Sequence, residues 1–332
     1  MTREADPYPL LFQPILKAKV WGGDRLARLG KPVRPGDRIG ESWEVADLDA
    51  TSPSGGGGEP AHSLIRNGPL AGAPIRTALS LWGEALLGAA SPAAGGGFPL
   101  LIKHLDAADN LSVQVHPSPA YAASHPGAHV KHEAWCVIEA HPGSLIHRGL
   151  KPGVTREDLR THAERGTIAE ALVAVAAQPG MLLPLPSGVI HALGAGVLVA
   201  EVQTPSDTTF RLSDWGRTGR ALHLDEALAS AFDVAGEPTA PLSSLPAPNR
   251  SRITTERFVI ERTSLVATHT IALSRSESPV ILMVLRGRGR LGSGGEATPL
   301  SAGDTAVIPA ACSDAGLTAD SAIEALIVSI PV

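Results

Sequence analysis

Gln114, His116, Glu133 and His191 are the side chains in this 332-residue sequence whose types and spacing best suit a divalent metal. Gln114 and His116 stand two apart in LSVQVHP, so on an extended strand both leave the same face. Pro117 then closes that strand. Glu133, in VKHEAW, follows at a distance that one hairpin would span, and His191 ends the run Gly180-x5-Pro186-x-Gly188-x2-His191. Two imidazoles with two oxygen donors form a borderline set that suits one zinc ion per chain and leaves a position open for substrate. Any one of the twelve histidines taken alone would be an ordinary core or surface residue; the joint pattern is what points to a metal. His125, His129, His132 and His141 lie around the same stretch and read as loop residues, with His132 facing away from Glu133 on a strand.

The elements that must position these residues are short strands. Glycine and proline are abundant (35 and 28 residues) and favour turns over long helices. The Gly180 to His191 run resembles the second motif of cupin β-barrels, in which the histidine points into the barrel. The spacing Gly180-x5-Pro186 recurs as Gly303-x5-Pro309, with Asp314 at the position of His191 and no Gln-x-His pair before it. The expected fold is therefore mainly β, two cupin (jelly-roll) units, with metal chemistry in the first only. A catalytic domain over 1–235, a linker over 236–252 and a metal-free β domain over 253–332 are expected. IRTALSLWGEALLG places Leu79, Leu81, Trp82, Ala85 and Leu86 near one helix face. From Thr155 to Gln178 the pattern predicts an inserted helix, a turn at Gly166 and a second helix, with an apolar stripe through Leu159, Ile168, Leu172 and Val175. A further short helix is expected over His223 to Asp233.

Composition limits the function classes. A formal net charge of −5 without a cluster of basic residues argues against a nucleic-acid footprint. Cys136 and Cys312, the two cysteines, are too far apart for a CxxC site and read as small buried residues. There is no signal segment and no apolar run long enough to cross a bilayer, so a cytoplasmic protein with no obligatory protein partner is expected. The lysines are Lys17, Lys19, Lys31, Lys103, Lys131 and Lys151; Lys103 and Lys131 flank the ligand candidates.

PILKAKVWGGDRL, GESWEVAD, FPLLIKHLDAADNLSVQVHP, KHEAWCVIEA, GVIHALGAGVLVAEVQTPSDTTFR and LSAGDTAVIPA occur in one order along the chain. In that order they resemble the type I mannose-6-phosphate isomerases of the short bacterial form. The resemblance implies an aldose–ketose isomerase that moves a proton between C2 and C1 of mannose 6-phosphate through a cis-enediol to give fructose 6-phosphate. It implies Arg211 as the catalytic arginine, which suits the need of an enediolate for a fixed cation. Lys103 becomes a candidate acid/base if burial and the metal depress its pKa, and Lys131 and Ser112 become candidates to hold the phosphate. Glu201 and Asp207 read as orienting or structural residues. Met181 and the Val-Lys-His-Glu run depart from the family's usual residues without touching a proposed ligand. The competing readings are a sugar-binding cupin that keeps its metal without catalysis and an iron-dependent cupin oxidoreductase, which would usually carry His-x-His.

Overall fold

A computed structural model describes residues 6–52, 57–233, 236, 238, 251–274 and 277–332. Two β units of the cupin type pack side by side. In the first, a five-stranded sheet runs Leu172–Ala176, Leu145–Leu150, His191–Leu193, Val113–Val115, Phe210–Ser213. It faces a six-stranded sheet built from Leu182–Leu185, Glu133–Ala140, Val197–Gln203, Leu101–Ala107, Ile15–Gly23 and Ile39–Val45. The second unit pairs a six-stranded sheet with a four-stranded one whose strands lie between Thr270 and Ala319. All the pairings described are antiparallel, so alternate residues of each strand face the inside of their unit.

The Leu101–Ala107, Glu133–Ala140 and Val197–Gln203 strands carry apolar residues on both faces. One face turns Ile102, Ala134, Cys136, Ala200 and Val202 toward Ile260, Ile281, Met283, Leu326 and Val328 of the second unit in one shared core. The other face turns Lys103, Glu133, Trp135 and Glu201 into the first barrel. Such a sheet is buried on both sides and cannot show a simple polar alternation.

The two units are tied together beyond that core. Leu10–Leu11 pairs with Thr305–Ile308, so the start of the chain completes a sheet of the C-terminal unit. Lys31 Nζ reaches Glu44 Oε2 at 2.6 Å and the Gly303 carbonyl at 2.7 Å across the seam. Gly303 has φ of 90°, and a Cβ there would lie 2.0 Å from the Leu29 carbonyl oxygen, so glycine is required by both backbone and space. The linker expected at 236–252 lies outside the described residues except at 236, 238, 251 and 252.

Three local expectations are corrected. The inserted segment is one helix, Arg156–Arg165, with Thr155 and Asp158 closing a capping box and Gly166 ending it in the left-handed region. The expected second helix is a short 3₁₀ turn, Ile168–Ala171, followed by the strand Leu172–Ala176 on the edge of the five-stranded sheet. Val173 and Val175 favour a strand, and pairing with Leu145–Leu150 outweighs the apolar stripe. Leu159, Ile168 and Leu172 do share a core, while Val175 packs into the barrel's other cluster. Upstream, Gly83 divides the predicted helix into Ile75–Trp82 and Glu84–Leu87, leaving Leu81 44% exposed while Leu79, Trp82 and Leu86 are buried. Leu224–Ala231 is helical as expected.

Candidate metal centre

The ligand candidates converge from two facing sheets. Gln114 pairs in register with His191 on one side and with Arg211 on the other, and His191 also pairs with Arg148. Directly opposed residues share a face, so Arg148, His191, Gln114 and Arg211 form one row across the five-stranded sheet. Glu133 comes from the opposite sheet, where it pairs with Gln203. The hairpin expected between Val113–Val115 and Glu133 is therefore absent: the two strands belong to different sheets and meet across the barrel.

His191 Nε2 lies 3.0 Å from Glu133 Oε1, and His116 Nε2 lies 3.3 Å from Glu133 Oε2. Both imidazoles are held by their other nitrogen: His116 Nδ1 donates to the Thr208 carbonyl and His191 Nδ1 to the Val189 carbonyl, each at 2.9 Å. Those bonds place the free lone pairs on Nε2, facing the carboxylate. His116, Glu133 and His191 are all buried, and both Glu133 oxygens lack a well-formed hydrogen bond. Among the described residues this is the group of His, Cys, Asp and Glu side chains whose ligand atoms lie within 4.8 Å of one another. Buried lone pairs aimed at a common point carry a cost that a divalent cation removes, so these residues fit one. The Gln114 carboxamide nitrogen stands 3.2 Å from His191 Nε2, and a half-turn of the amide presents oxygen in the same place.

Charge states suit ligation. Burial and the Lys131 charge push His116 down to about 3, keeping it neutral. Burial pushes Glu133 up, but Lys131, His116 and His191 together hold its carboxyl well below the usual range. Lys131 Nζ is 2.6 Å from Glu133 Oε2 and 3.3 Å from His116 Nε2. Its ammonium thus neutralises the carboxylate from within the ligand group.

A cleft opens beside these ligands, lined by Gln114, Lys131, Lys103, Glu201, Ser112 and Arg211 among others. Arg211 is 2% exposed; its Nη1 donates to the Ala221 carbonyl at 2.8 Å, while Nε is buried without a hydrogen-bond partner. Lys103 stands in a second row, Trp135–Glu201–Lys103–Trp43, with its ammonium 3.3 Å from Glu201, 3.7 Å from Glu41 and 5.0 Å from the Trp43 ring centre. Burial alone would lower the Lys103 pKa, but Glu201 and Glu41 outweigh that and raise it to about 12. Ser112 donates to Gln114 Oε1 at 3.3 Å. Ser112 and Lys131 both line this cleft, Ser112 beside Gln114 and Lys131 beside His116.

Lys19, Trp21, Glu41, Trp43 and Arg220 also line the cleft and were not singled out from sequence. The signal was present in alternation, since Lys19-x-Trp21 and Glu41-x-Trp43 put each pair on one strand face.

No protein-family model matches the chain. It is 32% identical over 323 residues to mannose-6-phosphate isomerase ManA of Bacillus subtilis (strain 168), a match covering 91% of this chain and 93% of that one. It is 31% identical over 308 residues to a mannose-6-phosphate isomerase of Streptococcus mutans, covering 91% and 92%. The crystal structure of the mannose 6-phosphate isomerase from Bacillus subtilis superposes with a TM-score of 0.78 at 28% identity, over 97% of this chain and 99% of that one. A zinc-bound mannose 6-phosphate isomerase structure gives 0.71 at 18% identity, over 98% and 100%. Sequence likeness of that extent, on a fold that matches throughout, makes this chain a member of the mannose-6-phosphate isomerase family.

Proposed function

We propose that the protein is a zinc-dependent isomerase that interconverts D-mannose 6-phosphate and D-fructose 6-phosphate through a cis-enediol. The observation that carries this reading is a buried His116–Glu133–His191 group behind Gln114 and Lys131, which line a cleft together with the buried Arg211 and Lys103. Gln114, His116, Glu133 and His191 would hold one zinc ion, which when bound supplies Lewis acidity to the sugar oxygens at C1 and C2. Arg211 supplies a second fixed cation for the charge that develops as the C2 proton leaves.

Lys103 and Glu201 form the proton-handling pair of the cleft. Held protonated, Lys103 donates to a developing oxyanion rather than accepting a proton from carbon. Burial pushes the Glu201 carboxyl up against the pull of Lys103, and its Oε2 has no hydrogen-bond partner, so this carboxylate can take a proton and return it. Trp135 Nε1 donates to Glu201 Oε1 at 3.1 Å and fixes its orientation. Lys131, beside the ligands, faces the reacting end of the sugar. No described helix is long and apolar enough to cross a membrane, which is compatible with work on a dissolved sugar phosphate.

The test is a coupled assay of fructose 6-phosphate formation from mannose 6-phosphate, before and after chelation and after zinc is restored. Turnover that disappears on chelation and returns with zinc is expected. A protein that retains metal and binds the sugar phosphate without isomerising it would instead be a binding module.

A further inference from the structure

Lys131 stands inside the ligand group rather than at its edge. Ligand atoms bound to one zinc at about 2.0–2.1 Å lie about 3.3 Å from each other, and His116 Nε2 and Glu133 Oε2 are 3.3 Å apart. Lys131 Nζ reaches both of those atoms, at 3.3 and 2.6 Å. With His116 Nδ1 engaged by the Thr208 carbonyl, Nε2 carries the ring's lone pair, so the ammonium donates to the same lone pair that a metal would take. All three side chains are enclosed: His116 and Glu133 are 0% exposed and Lys131 is 6% exposed.

The contact is of a kind that can be exchanged. Lys131 and Glu133 form an ion pair, yet neither Glu133 oxygen has a well-formed hydrogen bond, so the ammonium offsets the carboxylate's charge without using its lone pairs. The Lys131 backbone is what is pinned: its N–H donates to the Ser187 hydroxyl at 2.8 Å. A flexible four-carbon stem separates that fixed point from Nζ, so the ammonium can turn while the chain stays in place. The cleft offers it a second carboxylate. Lys131 lines the cleft together with Glu201, its charge acts on the Glu201 carboxyl, and Glu201 Oε2 has no hydrogen-bond partner. The ligands themselves do not depend on Lys131 for position. His116 is fixed by the Thr208 carbonyl and His191 by the Val189 carbonyl, and Glu133 stands on a strand paired on both sides, with Leu185 and with Gln203.

We infer that Lys131 is the built-in counter-ion of the metal centre: in the zinc-free protein its ammonium neutralises Glu133 and caps His116, and zinc binds by displacing it toward the cleft. The inference rests on the zinc reading above and adds to it a control on metal affinity. A buried carboxylate without a cation carries a large desolvation cost, so Lys131 keeps the zinc-free group stable. The same positive charge opposes a dication at that place, so zinc affinity is set below what the ligands alone would give. Displacement delivers an ammonium to the cleft only once the metal is bound, which links the charge facing the substrate to metal loading.

The experiment uses the full-length protein, stripped of metal by chelation and reloaded with zinc, as wild type and as Lys131→Met, which keeps an unbranched side chain without its charge. Zinc Kd is measured by competition with a chromophoric chelator, and thermal unfolding is followed with and without zinc. Removing the competing charge should tighten zinc binding by about 10- to 100-fold. It should also lower the melting midpoint of the zinc-free protein, and so widen the rise in that midpoint on zinc addition. Should zinc-free Lys131→Met fold poorly, the wild type gives an independent readout, because the chain has only six lysines. With lysine labelled by ¹³C at Cε, the resonance missing from zinc-loaded Lys131→Met should be the one that moves most when zinc is added to the wild type. A variant Kd within about two-fold of wild type overturns the inference. Weaker zinc binding in the variant, or a Lys131 resonance that zinc leaves in place, overturns it as well. A wild type that takes up no zinc would strike the zinc reading itself, and this inference with it.

Discussion

In the first barrel, Glu133–Ala140 and Val197–Gln203 turn Glu133, Trp135, Glu201 and Gln203 inward; in the second, Val280–Arg286 and Ile323–Ser329 turn Leu282, Val284, Ile323 and Ala325 inward. The same antiparallel scaffold thus encloses ionisable groups in one unit and a dry core in the other. Buried carboxylates and ammoniums cost free energy that only partners or a metal offset, whereas buried Leu and Val contribute about 2 kcal/mol each. The filled barrel and the core between the units support the polar one. Asp314 shows the same division: at the position of His191 it lies on the surface, accepting from Ser293 Oγ and the Gly294 N–H in a turn.

The comparison breaks most sharply at the ligands. His116→Ala and His191→Ala should each lose zinc by elemental analysis and reduce turnover to background, while Asp314→Ala keeps both at wild-type level; two metal ions per wild-type chain would contradict the division. Arg211→Ala comes next. It should keep its zinc and lower kcat by about two to three orders of magnitude with a smaller change in KM, as expected of an interaction made mainly in the transition state. Near-normal kcat would remove Arg211 from the chemistry.

In the second barrel the effect should appear as stability. Leu282, fully buried among Leu291, Leu300 and Ile308, should cost about 2 to 5 kcal/mol as Leu282→Ala in denaturant unfolding, with kcat per folded molecule unchanged. A variant with normal unfolding and lost turnover would mean that the second barrel takes part in catalysis.

The seam gives a smaller effect that depends on pH. Burial raises the Glu44 pKa, but hydrogen bonds and charge from His104 and Lys31 outweigh it and hold the carboxyl at about 2. A depressed carboxyl contributes stability above its unfolded value of about 4.5 and loses it as pH falls toward 2. Glu44→Gln should therefore cost about 2 to 3 kcal/mol at pH 7, and unfolding curves of variant and wild type should converge only as pH falls to about 2. A difference independent of pH would assign the loss to packing.

The sequence by itself determined the β architecture and picked out the candidate metal group, because Gln114-x-His116 fixes a shared strand face and the recurrent Gly-x5-Pro spacing marks each unit. It also showed that the second unit has no matching histidine. It misplaced what depends on partners distant in the chain. Glu133 comes from the facing sheet rather than from a hairpin, and Leu172–Ala176 is a strand because an edge was there to pair with. Lys103 carries a raised pKa because Glu201 and Glu41 meet it across strands. Arg220 reaches the cleft because a loop pinned by Trp215 brings Asp214 beneath it. Strand alternation is a local steric property and can be read from neighbours along the chain. Electrostatic balance, sheet pairing and the corner where a charge comes to rest depend on groups brought together only when the barrel closes.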